Sequence, residues 1–395
     1  MTRHRRDLVA SIVAAAVLAA AIAVPVKASP LSERAPEDRV IEVHDRPSAG
    51  SIADLTVTPD GVDSEVDLIV DRIAGENRYH TAVLISQALY PDGTWPDGSP
   101  VDAVVVTNGM NFPDALAGGP YAAGIGPLLL VPPSGTVPQV VLDELDRLRP
   151  TYIDILGSTD AVGSGIESQL AGTGAEITRI AGRNRYDTAA QLARATFDRR
   201  FVPDPNATHQ AIIASGEVFA DALGASAISA VGGHVLLLGS RGGLSDETWA
   251  VLEEIRPVNV FLLGSGDRLP LDLERQVAAR LPSGTWVGRI AGTDRFETAA
   301  MLSRQTIFES WMVENTRMGS SYADFPVLAD GFGFPDALAS TPLAWAVSSP
   351  ILLGRQTCLS LHTVDEVERL QPEALIVVGG TDRISDEALA PLVCR

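Results

Sequence analysis

Six arginines and three aspartates return at matched places along this 395-residue chain. Arg72 and Arg78 bracket Arg-Ile-Ala-Gly-Glu-Asn-Arg, and Arg179/Arg185 and Arg289/Arg295 bracket the same phrase with small changes. Asp114, Asp221 and Asp336 each sit further on, in Phe-(Pro/Ala)-Asp-Ala-Leu. A guanidinium is a rigid fork of donors that matches a carboxylate or phosphate, so the six can line sites for an anionic or hydroxyl-rich polymer. They can equally serve inside the fold, each pairing with the aspartate of its own copy to lock helix to loop. Aspartate at a helix start bonds backbone N–H groups and contributes about 1 kcal/mol. The sequence leaves both roles open.

Other polar groups gather near the aspartates. Asn108 and Asn111 flank the turn before Asp114, where the second copy has Ser215 and Glu217 and the third Asp330 and Gly333. Tyr79, Tyr186 and Phe296 share one position on the first turn of a helix. Core packing and a platform for a sugar ring are its two readings.

Groupings that do covalent chemistry are not recognised. His44, His80, His209, His234 and His362 do not repeat between copies, and neither a His-Glu-x-x-His nor a Gly-x-Ser-x-Gly pattern occurs. The glycine-rich turns at Gly264–Gly266 and Gly331–Gly333 lack a full dinucleotide fingerprint and a phosphate-loop lysine. The expectation is a binding protein, not an enzyme, without a cofactor and with bridging divalent cations as the one ion considered.

These residues need elements to hold them. The phrase starts lie 107 and 110 residues apart, too far for a solenoid repeat and enough for a small domain. In the first copy, helical spacing runs over Asn77–Leu89, followed by an apolar strand at Val101–Val106. A helix is expected from Pro113-Asp114, then a strand at Leu128–Val131, a helix at Pro138–Leu148 and a strand at Tyr152–Leu156. A short helix near Val162–Leu170 and a strand at Ile177–Ile180 lead into the second copy. Further strands are expected at Ala211–Ala214, Val235–Leu238 and Val260–Leu263, and at Val327–Ala329, Ile351–Leu353 and Leu375–Val378. Continuous apolar strands alternating with helices predict parallel α/β sheets covered on both faces. The domain reading is a signal peptide at 1–28, a flexible spacer at 29–67 with a short strand at Val40–Val43, and modules at 68–176, 177–286 and 287–395. Short connections predict a pseudo-three-fold cluster.

Export is expected from Arg3, Arg5 and Arg6 ahead of the apolar run Leu8–Val24, with Val26-Lys-Ala28 as a cleavage site. An uncleaved anchor is the other reading of that run. After cleavage no segment is expected to cross a membrane. Loss of the signal takes the formal net charge from −20 three units further negative and removes Lys27, the sole lysine. An acidic, lysine-free protein is a poor partner for nucleic acid, and it has no lysine nucleophile. Cys358 and Cys394 are expected to form a disulfide in an exported protein.

The triple Arg-Ile-Ala-Gly-x-(Asn/Asp)-Arg-(Tyr/Phe)-x-Thr-Ala, each copy followed by Phe-(Pro/Ala)-Asp-Ala-Leu, resembles the bacterial cell wall-binding repeat family, type 2, over residues 70–395. The resemblance implies parallel, Rossmann-like α/β units around a pseudo-three-fold axis. It implies a noncovalent anchor, as in Gram-positive surface-layer proteins and wall hydrolases, holding a secreted protein at the cell surface to an anionic secondary wall polymer. Such triplets often accompany an effector such as an amidase, for which no room is expected here. The alternatives are a wall hydrolase of the N-acetylmuramoyl-L-alanine amidase kind and a passive surface or adhesion protein. The acidic body repels an anionic polymer, so binding requires local arginine sites or bridging cations.

Overall fold

A computed structural model describes residues 69–111, 115–200, 210–304, 323–389 and 394. The expected signal and spacer, and Asp114 with its helix start, lie outside the described residues. The chain opens with β1 (Ile69–Ile73) and α1 (Arg78–Leu89). Next come β2 (Ala103–Asn108), α2 (Gly118–Ala122), β3 (Leu128–Val131), α3 (Gln139–Leu148), β4 (Tyr152–Leu156) and α4 (Ser164–Ala171). The second round is β5 (Glu176–Ile180), α5 (Arg185–Arg200), β6 (Gln210–Ser215), α6 (Ala220–Gly232), β7 (Val235–Gly239), α7 (Asp246–Ile255), β8 (Asn259–Leu263) and α8 (Leu273–Arg280). The third is β9 (Trp286–Ile290), α9 (Arg295–Arg304), β10 (Val327–Asp330), α10 (Pro335–Ala339), α11 (Thr341–Ala346), β11 (Ile351–Gly354), α12 (Leu361–Leu370), β12 (Ala374–Val378) and α13 (Asp386–Leu389).

These elements build the expected three parallel sheets, each found to have four strands, in the orders β3-β2-β4-β5, β7-β6-β8-β9 and β11-β10-β12-β1. Their inner strands are buried along their length, save the first residue of β4, β6 and β8. The sheets do not follow the sequence phrases. Each is completed at one edge by the strand carrying the next Arg-Ile-Ala-Gly, so β5 joins the first sheet and β9 the second. The third closes the cycle with the earliest described strand: Ile69 pairs with Ala374 and Ile73 with Val378.

The helices repeat the same cyclic order. α5 packs on α2, α9 on α6, and α1 on α10 and α11. The buried inner helices α2, α6 and α11 meet one another at the centre. There Gly119, Ser226 and Thr341, five residues after each repeated aspartate, converge, and Thr341 Oγ1 lies 3.3 Å from Ser226 Oγ. A Cβ added at Gly119 would sit 2.6 Å from both side chains. One hydrophobic core runs through all three modules, with satellites under the second and third.

The repeated phrase is largely architecture. Asn77 accepts from the Tyr79 and His80 amides, Asn184 from Tyr186 and Asp187, and Asp294 from Phe296 and Glu297, so each caps the helix that follows. The amides of Gly75, Gly182 and Gly292 donate to Thr81, Thr188 and Thr298 Oγ1 at 3.0–3.1 Å. A Cβ at any of these glycines would lie within 2.6 Å of the following helix, which is why no larger residue stands there. Cys358 and Cys394 form the expected disulfide, Cα atoms 5.2 Å apart, and the Cys394 amide donates to Leu359 O at 2.8 Å. Among the described residues no helix is long and apolar enough to cross a membrane.

Candidate functional site

In parallel α/β sheets, free backbone groups and ligand sites lie beyond the carboxyl ends of the strands. All six repeated arginines gather there, in two tiers with different duties.

The inner tier is Arg72, Arg179 and Arg289, on the borrowed edge strands. Their side chains are 18, 17 and 12% exposed. Each NH1 donates to the carbonyl of the glycine ending the neighbouring strand: Arg72 to Gly379 at 2.8 Å, Arg179 to Gly157 at 2.6 Å, Arg289 to Gly264 at 2.7 Å. Those glycines hold φ of +106, +95 and +91°, a left-handed turn that aims the carbonyl at the guanidinium. Each arginine also grips a carboxylate, respectively Asp386, Glu167 and Glu274. Their donors are committed to joining the edge strand to its sheet. In Arg72 that joins the first phrase to the third module.

The outer tier is Arg78, Arg185 and Arg295, half-buried at helix starts. Each NH1 donates to a glycine carbonyl in the loop of its own module: Gly109 at 2.5 Å, and Gly216 and Gly331 at 2.6 Å. Arg295 reaches across the seam between modules, its guanidinium 5.7 Å from the ring centroid of Phe219 in the second module. The Arg295 charge acts on Asp221 of the second module, and the Arg78 charge on Asp336 of the third. For Arg295 and Arg78 the cyclic packing thus sets the charge against a neighbouring module's aspartate, while Asp114 lies outside the described residues.

Asp221 and Asp336 occupy the second positions of α6 and α10, whose cap residues Phe219 and Phe334 make no side-chain cap bond. Their carboxylates press on the turn glycines, for a Cβ at Gly264 would lie 2.6 Å from Asp221 Oδ2 and one at Gly379 2.8 Å from Asp336 Oδ2. Burial pushes both carboxyls above the ordinary aspartate range, against the opposing pull of Arg268 and Arg295 on Asp221 and of Arg383 and Arg78 on Asp336.

Arg268 and Arg383 are functional candidates that sequence reasoning missed. They hold one position in the turn after β8 and β12, but the first module has Ala161 there. A pattern required in every copy passes over them. Arg383 approaches Asp330 at 3.8 Å. Beside Arg268 an open depression of about 410 Å³ is lined by Arg241, Gly266 and Asp267. In the first module Asn108 takes the space differently: it is buried, donates to Ala161 O at 2.8 Å and accepts from the Met110 amide at 2.7 Å. Asn111 is exposed. Tyr79 and Tyr186 pack half-buried against the core, and Phe296 is buried. Among the described residues, no three His, Cys, Asp or Glu side chains are grouped to hold a metal ion.

The chain belongs to the family described as Cell wall binding domain 2 (CWB2), whose model matches residues 72–167, 179–273 and 289–389. It is similar to the N-acetylmuramoyl-L-alanine amidase LytC of Bacillus subtilis (strain 168), at 27% identity over 319 residues, 81% of this chain and 57% of that one. The Amidase enhancer of the same organism is 25% identical over 343 residues, 86% of this chain and 42% of that one. The chain thus spans about half the length of these relatives. Cwp6 from Clostridium difficile superposes with a TM-score of 0.69 at 22% identity, covering 85% of this chain and 51% of that one. Cwp8 from the same organism gives 0.67 at 22%, covering 82% and 51%. Likeness at this identity shows a common fold.

Proposed function

We propose that this is an exported protein that attaches noncovalently to a secondary polymer of a bacterial cell wall through its three modules, and that it binds without cleaving. The observation that carries the reading is the seam in which one module's outer arginine faces the preceding module's buried aspartate, at the carboxyl ends of the strands. Burying a carboxylate there costs stability, and the second and third modules repeat the arrangement. A ligand's anionic or hydroxyl groups engage Arg78 and Arg295 together with Arg268 and Arg383. The inner tier only holds the frame. Three weak sites on one rigid body multiply affinity on a repeating polymer by factors on the order of 10² to 10⁴. The acidic surface makes local arginines, helped by divalent cations bridging to the polymer, the route past overall repulsion.

The test is retention of purified protein on intact wall sacculi and on sacculi stripped of secondary polymers. Retention on intact walls that is lost on stripping, and weakened by Arg78→Gln with Arg295→Gln, is the expected result. Equal retention on stripped walls overturns the polymer assignment, and no retention overturns the reading. A lytic band in a peptidoglycan gel overlay would restore the hydrolase alternative.

A further inference from the structure

The three modules do not present the same surface beside their outer arginines, and one of them is built to read a sugar ring. In the loops after β2, β6 and β10, the residue following the arginine-bound glycine is Met110, Glu217 or Phe332. At the turn after the neighbouring strand the matched residues are Pro132, Ser240 and Arg355. The second module carries a carboxylate at this place, and Glu217 lies 3.6 Å from Arg241. The first has an exposed thioether at the one position and a proline at the other. The third alone combines an aromatic ring with a second guanidinium.

That third surface is held from several sides. Phe332 is 56% exposed although it is a large apolar residue. Its amide donates to Asp330 Oδ1 at 2.8 Å, which fixes the turn. Its ring meets the buried Phe296 edge-on, centroids 5.8 Å apart. The Arg295 guanidinium lies 5.0 Å from the Phe332 centroid and that of Arg355 5.6 Å. Arg355 is itself stacked 4.6 Å above Phe296 and approaches Asp294 only to 3.8 Å, so its fork is positioned with little of its charge spent. A small apolar surface flanked by two oriented cations matches one ligand chemistry. A sugar ring offers a C–H face to the aromatic, and an anionic substituent on that ring offers oxygens to the forks.

We propose that the Phe332–Arg355 surface of the third module is a subsite for a sugar residue bearing an anionic group, a uronic acid or a glycosyl phosphate. Among the described residues the other two modules show no such pairing of an exposed ring with a second guanidinium, so the third sets which polymer is recognised while the others add avidity. This rests on the wall-polymer reading and names the ligand class for one of its sites.

The experiment measures binding by calorimetry to four probes: oligogalacturonate, glucose 1-phosphate, a neutral malto-oligosaccharide and inorganic phosphate. The parent protein binds at least one of the first two more tightly than either of the last two. Phe332→Ala and Arg355→Gln each weaken that binding by about tenfold, Phe332→Trp retains it, and Met110→Ala and Glu217→Ala change it less than twofold. Melting temperatures run alongside show that the variants are folded. Sacculus retention is measured in parallel and separates the two claims. Protein held on walls but binding neither sugar acid, or binding it equally well as Phe332→Ala, overturns the subsite and leaves wall attachment standing. Inorganic phosphate binding as tightly as the sugar acids removes the ring from the argument and overturns it also. Loss of retention by the parent protein overturns the wall-polymer reading itself.

Discussion

Arg289 grips Glu274 with both prongs of its fork, Nε to Oε1 at 2.6 Å and NH2 to Oε2 at 2.9 Å, while NH1 holds Gly264 O. The pair ties β9 to α8 and draws the Glu274 carboxyl below its usual range, chiefly through that hydrogen bond. A lowered folded-state pKa adds stability above the unfolded value and loses it as pH falls through the folded one. Glu274→Gln is therefore expected to melt lower than the parent at pH 7. The gap should narrow below about pH 4 in a thermal-melt series. Arg289→Ala, which also strands the Gly264 and Pro270 carbonyls, should cost more, about 3 kcal/mol by urea titration.

Asp221 and Asp336 carry the opposite sign. Their folded-state pKa values are raised by burial, so stability is fully present below the unfolded pKa and is lost as pH rises through the folded one. Asp221→Asn and Asp336→Asn are expected to melt above the parent at neutral pH and to converge with it in acid. The same variants should bind walls more weakly. A carboxylate that costs stability and serves nothing would raise melting temperature without touching retention.

The cycle of sheets is closed by Ile73, 5% exposed in β1 and paired with Val378. Ile73→Asp places a charge in that joint, a change expected to cost several kcal/mol if the strand stays docked. The strand should instead detach. Hydrogen exchange would then show lost protection across β1 and β12, with little change in β2 and β4 of the first sheet. Uniform loss across all three sheets would mean that the molecule unfolds as one unit.

The disulfide joins residues 36 apart in sequence. Cys358→Ala with Cys394→Ala is expected to lower stability by about 2–4 kcal/mol, read by chemical denaturation. Sacculus retention measured on the folded variant should fall modestly, since the Arg355 amide donates to Cys358 O at 3.3 Å and the bridge steadies the turn that carries Arg355.

Much of the frame was visible in the chain itself. Leu128–Val131 and Tyr152–Leu156 fall on the strands expected, because a buried parallel strand is apolar along most of its length, with the buried Asp154 of β4 accepting from Tyr121 OH at 2.8 Å. The cap residues and glycines of the repeated phrase could also be assigned by type. Less visible was the partnership of β1 with β12, since pairing between residues about 300 apart leaves no periodic trace. For the inner arginines a role inside the fold was one of the two readings, but the partners that fill it were not legible. Their acceptors are carbonyls set by a glycine's φ, and carbonyl direction is not written in side-chain chemistry. Arg268 and Arg383 escaped because Ala161 breaks the repeat, and Arg355 because it matches Pro132 and Ser240.

A final consequence follows from the borrowed edge strands. In an open stack of repeats a terminal unit offers a free border to which another copy can be appended, so length drifts easily. Here the last sheet takes its fourth strand from the first phrase, which leaves no vacancy for a fourth member. Copy number is thereby fixed by geometry: growth would have to proceed by adding whole rings side by side, each with its own centre.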